Sequence, residues 1–106
     1  MTQFTRISLE QAAKLLKQPS VCLTDIRDAA SFNAAHVENA FHLTNDTLPT
    51  FVEQVAKDIP VLVMCYHGNS SQGAANYLVS LGYQTVYSVD GGFEGWKQIY
   101  PFTATV

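Results

Sequence analysis

Short apolar runs alternate along the chain with segments whose apolar positions repeat at helical spacing. The apolar runs predict five strands, at about 4–7, 21–26, 41–43, 61–64 and 85–89. The periodic segments predict five helices, at about 9–16, 29–35, 45–57, 71–81 and 93–100. Such alternation is typical of an α/β protein, in which helices connect parallel strands and cover both faces of the sheet.

Local signals support the ends of several helices. Ser8 and Gln11 form the pattern of a capping box in front of the first helix, and Asp28 is a favourable N-cap for the second. Pro49 falls in the first turn of the third helix, where proline is tolerated, and Gly82 ends the fourth. These signals agree with the periodicity and strengthen the predicted element order.

The segment Val61–Met64 is apolar without alternation, so both of its faces are expected to be buried in the middle of a parallel sheet. The inner face of the fourth helix is predicted to consist of Ala74, Ala75, Leu78 and Leu81. We therefore predict one domain over residues 1–106, an open, mainly parallel sheet of about five strands with helices on both faces. Ligands of such sheets bind at the carboxyl ends of strands, near a switch in strand order.

The composition argues against several classes of partner. The chain has 106 residues, enough for one domain with its own core, and 47% of them are apolar. Its net charge is −3 and it has no basic run, so binding to nucleic acid or to an anionic membrane is not expected. No apolar run approaches the ~20 residues that cross a bilayer, and the N-terminal residues lack the pattern of a secretory signal.

The cysteines and histidines do not have the spacing of a disulfide framework or a metal site. Cys22 and Cys65 form no C-x-x-C motif, and without an export signal they are expected to be reduced thiols in the cytoplasm. The three histidines lack metal-ligand spacing, so no zinc or other metal is predicted. Cys22 lies inside a strand pattern and is interpreted as a core residue.

Residues 65–71 carry the pattern that indicates chemistry. Cys65 ends the buried strand, and a helix begins six residues later. Gly68 and Asn69 permit the left-handed backbone of a tight loop, whose N–H groups then surround one central atom at the helix N-terminus. A thiol placed there ionises below its ordinary pKa of about 8.5 and becomes a nucleophile. The alternative is a buried core thiol without chemistry.

The segment Cys65-Tyr66-His67-Gly68-Asn69-Ser70-Ser71 resembles the active-site loop of rhodanese-type sulfurtransferases. Residues 23–40 resemble the N-terminal signature of that family, with Ala35 in place of the usual glycine, and residues 86–96 resemble its C-terminal signature. Residues 41–48 are similar to the bacterial single-domain thiosulfate sulfurtransferases of the family. The resemblance spans nearly the whole chain.

This resemblance implies sulfur transfer in two half-reactions. Cys65 takes the outer sulfur of thiosulfate as a persulfide and releases sulfite, and a thiophilic acceptor, either cyanide or a thioredoxin-like dithiol, then removes that sulfur. A link to thiosulfate assimilation is implied only at the level of the family, and no cofactor is implied. The loop amides are expected to hold the negative charge of the persulfide. The substrate-binding residues so implied are Tyr66, His67, Gly68, Asn69, Ser70 and Ser71.

One position departs from many members of the family, which carry arginine where this chain has Ser70. His67 is the only side chain of the loop that can become cationic, and the protein is acidic overall. We therefore predict weak thiosulfate binding with little electrostatic steering. Ser70 and Ser71 are equally suited to cap the helix and to donate a hydrogen bond to the Cys65 sulfur.

Several other residues near these motifs are interpreted as structural. Asp25 and Arg27 are expected to form an ion pair that braces the end of a strand beside the loop. Gly91-Gly92 is interpreted as a turn, with a second role in shaping the rim of the site. The remaining structural assignments are two histidines bound by backbone groups and one core tryptophan: His36, His42 and Trp96.

Other functions remain as alternatives at this point. Cysteine phosphatases and arsenate reductases also place a cysteine before a helix, but their C-x5-R loop carries arginine at the position of Ser71. A docking module with this fold would not need Cys65. A persulfide carrier that is loaded by another protein would share the whole pattern, and its donor and acceptor surfaces are not legible in the sequence.

Overall fold

The computed structural model describes residues 3–104, in which strands and helices alternate. The strands are β1 (Thr5–Ile7), β2 (Cys22–Asp25), β3 (Phe41–His42), β4 (Val61–Met64) and β5 (Val86–Val89). The helices are α1 (Leu9–Leu15), α2 (Ala29–Ala34), α3 (Leu48–Gln54), α4 (Ser70–Ser80) and α5 (Gly92–Trp96). The predicted order of elements is confirmed, while positions 1, 2, 105 and 106 of the predicted domain lie outside the described residues.

The five strands form one parallel sheet with β4 at its centre. The strand order is β1-β5-β4-β2-β3, and each neighbouring pair is parallel. The chain places β2 and β3 on one side of β4, and β5 and β1 on the other. The connections therefore diverge between β2 and β4, and this switch point lies at the end of β4, directly before Cys65.

Two apolar cores cover the two faces of the central strand. Leu62 and Met64 pack in one core with residues of α1 and α5, and Val61 and Val63 pack in the other with residues of α3 and α4. All four side chains are fully buried, which contributes about 1.5–3 kcal/mol each. The prediction of a strand buried on both faces is confirmed.

The third helix begins at Leu48, three residues later than predicted. The backbone N–H of Thr44 donates to Thr47 Oγ1 over 2.8 Å, and the Thr47 hydroxyl donates to the carbonyl of His42 over 2.8 Å. These bonds hold residues 44–47 as a turn, because threonine hydroxyls compete with the helical pattern for backbone partners.

The last helix also differs from its prediction, because it begins one residue earlier, at Gly92, and ends at Trp96. The N–H groups of Gln98 and Ile99 bond to carbonyls three residues back, so the chain continues as tight turns. No helix within residues 3–104 combines the length and apolar character needed to span a membrane.

Candidate active site

The loop that follows β4 turns at Gly68, whose φ of +97° is rarely adopted by residues with a side chain. A Cβ there would lie 3.0 Å from the backbone nitrogen of Gly91 and 3.0 Å from the carbonyl oxygen of Val89. Glycine is therefore required by both conformation and space. The left-handed conformation expected at Asn69 is not found, since that residue has φ −93° and ψ −61° as it enters α4.

The sulfur of Cys65 lies at the centre of this loop, and its side chain is only 2% exposed. Sγ accepts hydrogen bonds from the backbone N–H groups of Gly68, over 3.1 Å, and Ser71, over 3.2 Å. The hydroxyl oxygen of Ser71 lies 3.3 Å from the same sulfur. The loop thus places two backbone N–H donors and a serine hydroxyl around one thiol, as the spacing of the motif predicts.

These contacts change the acidity of the thiol. Burial raises the pKa of Cys65, but hydrogen bonds from the Ser71 hydroxyl and N–H, and from the N–H groups of Gly68 and His67, together outweigh it. The pKa therefore lies below the ordinary value of a cysteine. Because the thiolate is the nucleophilic form, the geometry favours a reactive sulfur over an inert core thiol.

A second serine, which the sequence analysis missed, lies behind the first. Ser88 is fully buried on β5, and its hydroxyl oxygen is 2.8 Å from the hydroxyl oxygen of Ser71. The sequence signal that could have indicated Ser88 is a polar residue inside the otherwise apolar strand Val86–Val89. This strand lies next in the sheet to β4, whose last residue precedes Cys65. Buried polar side chains need hydrogen-bond partners, and Ser71 is the partner of Ser88.

The start of α5 holds the outer side of the loop. The backbone N–H of Phe93 donates to the carbonyl of Cys65 over 2.8 Å, and that of Glu94 donates to the carbonyl of Tyr66 over 3.0 Å. A Cβ on Gly92 would collide with both of these carbonyl oxygens. Gly92 therefore does more than form the expected turn, because its missing side chain lets α5 fix two peptide groups of the loop.

The other predicted site residues form the exposed rim. The side chains of Tyr66, His67, Asn69 and Ser70 are exposed, whereas Gly68 and Ser71 are buried against the Cys65 sulfur and donate backbone hydrogen bonds to it. Asn69 is the N-cap of α4 but its side chain makes no capping bond. The serine alternatives are thereby resolved for Ser71, whose hydroxyl contacts the sulfur.

The charges near the rim have mixed signs. Lys97 binds the Glu94 carboxylate over 2.9 Å, and this hydrogen bond is the main cause that lowers the pKa of Glu94. The charges of Lys97, His67 and Arg27 lower it further. The Glu94 carboxylate is therefore ionised near His67, and Lys97 balances its charge.

The predicted ion pair braces the strand next to the loop. Arg27 Nη2 lies 2.8 Å from Asp25 Oδ2, and both side chains are almost completely buried. The same guanidinium donates to the carbonyl of Ala35 over 2.6 Å and lies 4.2 Å from the ring centroid of Phe93. Through Phe93, whose N–H donates to the carbonyl of Cys65, the pair supports the loop.

The two histidines expected to be structural are bound by backbone groups. His36 Nδ1 lies 2.7 Å from the carbonyl oxygen of Phe32, and His42 Nε2 lies 2.6 Å from that of Arg27. Both rings stack on Phe32. Within the part of the chain that is described, no three potential metal ligands cluster together.

Comparison with known proteins adds to this geometry. The model of the rhodanese-like domain family matches residues 8–99. Thiosulfate sulfurtransferase GlpE of Tolumonas auensis is 74% identical over 106 residues, which are 100% of both chains. A rhodanese-like domain protein of Staphylococcus aureus superposes with a TM-score of 0.79 at 23% identity, over 96% of this chain and 99% of that one. A thiosulfate sulfurtransferase of Pseudomonas aeruginosa has a TM-score of 0.85 at 18% identity, over 98% of this chain and 20% of that one. These two structures share the fold.

Proposed function

This chain belongs to the rhodanese family, and we propose that it is a thiosulfate sulfurtransferase in which Cys65 carries the transferred sulfur as a persulfide. The observation that carries the proposal is the hydrogen-bonding of the Cys65 sulfur by the N–H groups of Gly68 and Ser71 at the end of β4. Identity of 74% over the full length to a protein named thiosulfate sulfurtransferase supports the reaction class.

In the first half-reaction the Cys65 thiolate attacks the outer sulfur of thiosulfate. A bond forms between Sγ and that sulfur, and the sulfur–sulfur bond of thiosulfate breaks. The electron pair of the broken bond leaves on sulfite, so charge is conserved and no external oxidant or reductant enters. The lowered pKa of Cys65 increases the thiolate fraction available for this attack.

In the second half-reaction an acceptor attacks the outer sulfur of the persulfide. With cyanide, a carbon–sulfur bond forms, thiocyanate departs and Cys65 is regenerated as a thiolate. A protein or small dithiol attacks in the same way and becomes a persulfide; its second thiol then forms a disulfide with the first and expels the sulfur as hydrosulfide, so the dithiol supplies the two electrons. A thiol of low pKa is the better leaving group, so the same hydrogen bonds that favour ionisation also favour this step.

The loop amides provide the stabilisation that a persulfide anion needs. Backbone donors that are already aimed at a sulfur require no reorganisation when charge moves onto a neighbouring atom. We propose that the remaining substrate-binding residues, Tyr66, His67, Asn69 and Ser70, line the entrance through which thiosulfate and the acceptor approach. Their exposure supports this role.

The free thiols support two further parts of the proposal. Cys22 and Cys65 are both unpaired in the structure, as expected for a protein of the reducing cytoplasm. We accordingly propose a cytoplasmic location and a thioredoxin-like dithiol as the protein acceptor. We also propose that residues 1–106 form a single domain, and the family match over residues 8–99 supports this proposal.

Intact-protein mass spectrometry tests the proposed function. Thiosulfate is expected to add one sulfur, about 32 Da, and cyanide to remove it. Cys65→Ser is expected never to gain this mass, whereas the matched control Cys22→Ser gains it fully. Labelling that persists in Cys65→Ser would contradict the assignment of the site. A protein that accepts sulfur from a persulfide donor but never from thiosulfate would instead be a carrier.

A further inference from the structure

The buried hydroxyl of Ser88 has no part in the reaction as described so far. Ser88 lies on β5 beside Val63 of the central strand and is 0% exposed. Its Oγ is 2.8 Å from Ser71 Oγ, and Ser71 Oγ is in turn 3.3 Å from Cys65 Sγ. Within residues 3–104 the structure gives the Ser88 side chain no other hydrogen-bond partner. The three groups therefore form a chain that begins in the sheet and ends at the reactive sulfur.

Two arrangements of protons are possible along this chain. When the sulfur is a thiolate, Ser88 donates to Ser71 and Ser71 donates to Cys65, so both hydroxyl protons are used. When the sulfur is protonated, it donates to Ser71, and only one of the two serine hydroxyls can donate in the contact between Ser71 and Ser88, so the proton of the other has no acceptor among the described residues. A buried donor without a partner is unfavourable, so the chain as a whole matches the thiolate.

We propose that Ser88 is a positioning residue, which acts through Ser71 by holding the Ser71 hydroxyl as a donor to the Cys65 sulfur. The proposal rests on the proposed sulfur transfer, because it assigns Ser88 a part in that reaction. A hydroxyl that accepts one hydrogen bond becomes a stronger donor in the next, so Ser88 strengthens the contact as well as directing it. Ser88 itself does not touch the sulfur.

The two half-reactions should respond differently to this chain. Donation to the thiolate makes Cys65 a better leaving group when the acceptor removes the outer sulfur. The same donation slightly reduces the nucleophilicity of the thiolate in the first half-reaction, because nucleophilicity falls with pKa. Above the pKa of Cys65, loss of Ser88 should thus slow discharge of the persulfide to cyanide while leaving loading from thiosulfate unchanged or slightly faster.

The test compares the pH dependence of Cys65 alkylation by iodoacetamide in four proteins, all in a Cys22→Ser background. Ser88→Ala is expected to raise the pKa of Cys65 by about half a unit, a roughly threefold loss of thiolate below the pKa. Ser71→Ala is expected to cause a roughly tenfold loss, since it removes the contact itself. The double variant is expected to match Ser71→Ala, because Ser88 acts only through Ser71.

A matched control separates this role from simple packing. The Thr24 hydroxyl is equally buried on β2 and donates to the carbonyl of Leu62 over 3.0 Å, away from the sulfur. Thr24→Val is expected to lower the thermal midpoint without changing the Cys65 pKa. Ser88→Thr, which retains a hydroxyl, is expected to restore the pKa toward that of the parent. Ultraviolet absorbance of the thiolate gives the same titration where access limits alkylation.

Two results would overturn the proposal. An unchanged Cys65 pKa in a folded Ser88→Ala protein would leave Ser88 with a packing role only. A further rise in pKa when Ser88→Ala is added to Ser71→Ala would show that Ser88 does not act through Ser71. Neither measurement uses thiosulfate, so failure here is distinct from failure of the proposed function, which appears as absence of sulfur loading in the parent protein.

Discussion

The two cysteines of this chain lie at opposite ends of two neighbouring strands. Cys22 opens β2 and pairs with Val61, the first residue of β4, whereas Cys65 follows the last residue of β4. Burial raises the pKa of Cys22, and no opposing cause acts on it. Burial also raises that of Cys65, but hydrogen bonds from its loop reverse the outcome.

This difference shows that the surroundings of a cysteine, and not the residue type, decide the pKa of its thiol. Both sulfurs lose solvent, which disfavours charge. At the carboxyl end of the central strand the chain leaves the sheet and enters α4, and there the N–H groups of Gly68 and Ser71 donate to the Cys65 sulfur. The loop after β4 also needs Gly68 to turn and Gly92 to let α5 approach.

The largest effect is expected from breaking the ion pair that supports the Cys65 end. Arg27→Ala leaves the Asp25 carboxylate buried without its partner, and we expect a loss of about 3–5 kcal/mol in the free energy of unfolding. Lys14→Ala, which breaks the exposed pair of Lys14 with Glu10, is the control and should cost less than about 0.5 kcal/mol. Urea denaturation measures the free energy of unfolding of both variants. Equal losses in the two variants would contradict the bracing role of the Asp25–Arg27 pair.

A somewhat smaller effect is expected at Gly92. Gly92→Ala places a Cβ against the carbonyls of Cys65 and Tyr66 at a φ of +58°, so the loop must shift. We expect about 2–4 kcal/mol of destabilisation and a rise in the Cys65 pKa. Gly73 lies in α4 with nothing near its missing side chain, so Gly73→Ala is the matched control and should stabilise by up to about 1 kcal/mol. A Cys65 pKa in folded Gly92→Ala that equals the pKa in the parent protein would contradict the role of Gly92.

The pH dependence of stability should have opposite signs for the two thiols. For Cys65 the folded pKa lies below the unfolded value of about 8.5, so its contribution grows as pH rises toward 8.5 and is lost as pH falls through the folded pKa. For Cys22 the folded pKa is raised, so stability falls as pH rises above about 8.5. One pKa unit corresponds to about 1.4 kcal/mol.

Unfolding free energies of the parent, Cys65→Ser and Cys22→Ser measured from about pH 6 to about pH 10 check these signs. The difference between the parent and Cys65→Ser should increase with pH below about 8.5, and that between the parent and Cys22→Ser should change only above it. If the contributions of Cys65 and Cys22 to the free energy of unfolding changed with pH in the same direction, the opposite pKa shifts of the two thiols would be contradicted.

The smallest effect concerns the affinity for thiosulfate. Ser70 is exposed at the rim, and Ser70→Arg, which adds a cation beside the Cys65 loop, should lower the KM for thiosulfate by roughly threefold to tenfold at low salt. The effect should shrink at high salt, and Gln98→Arg, which adds the same charge at an exposed position of the turn after α5, should do less. A sub-millimolar KM in the parent protein would contradict the predicted weak binding.

The sequence predicts most of the fold because its signals are local. The apolar segment Val61–Met64 and the capping box of Ser8 identify their elements correctly, since burial and capping act within a few residues. The third helix is misplaced because the bonds of Thr47 compete with the helical pattern. The family motif identifies Cys65 and its loop. The contact of Ser88 with Ser71 and the close approach of Gly92 to the loop join elements that are distant in the chain, and the hydrophobic periodicity of the sequence does not predict such contacts.

The most direct test measures the thiol pKa values of the two cysteines, each in the absence of the other. Alkylation rates of Cys65 in Cys22→Ser, and of Cys22 in Cys65→Ser, are recorded against pH. We predict that Cys65 titrates below the ordinary cysteine pKa of about 8.5 and Cys22 above it. A Cys65 that titrates at or above the pKa of Cys22 would show that the loop hydrogen bonds do not stabilise the thiolate.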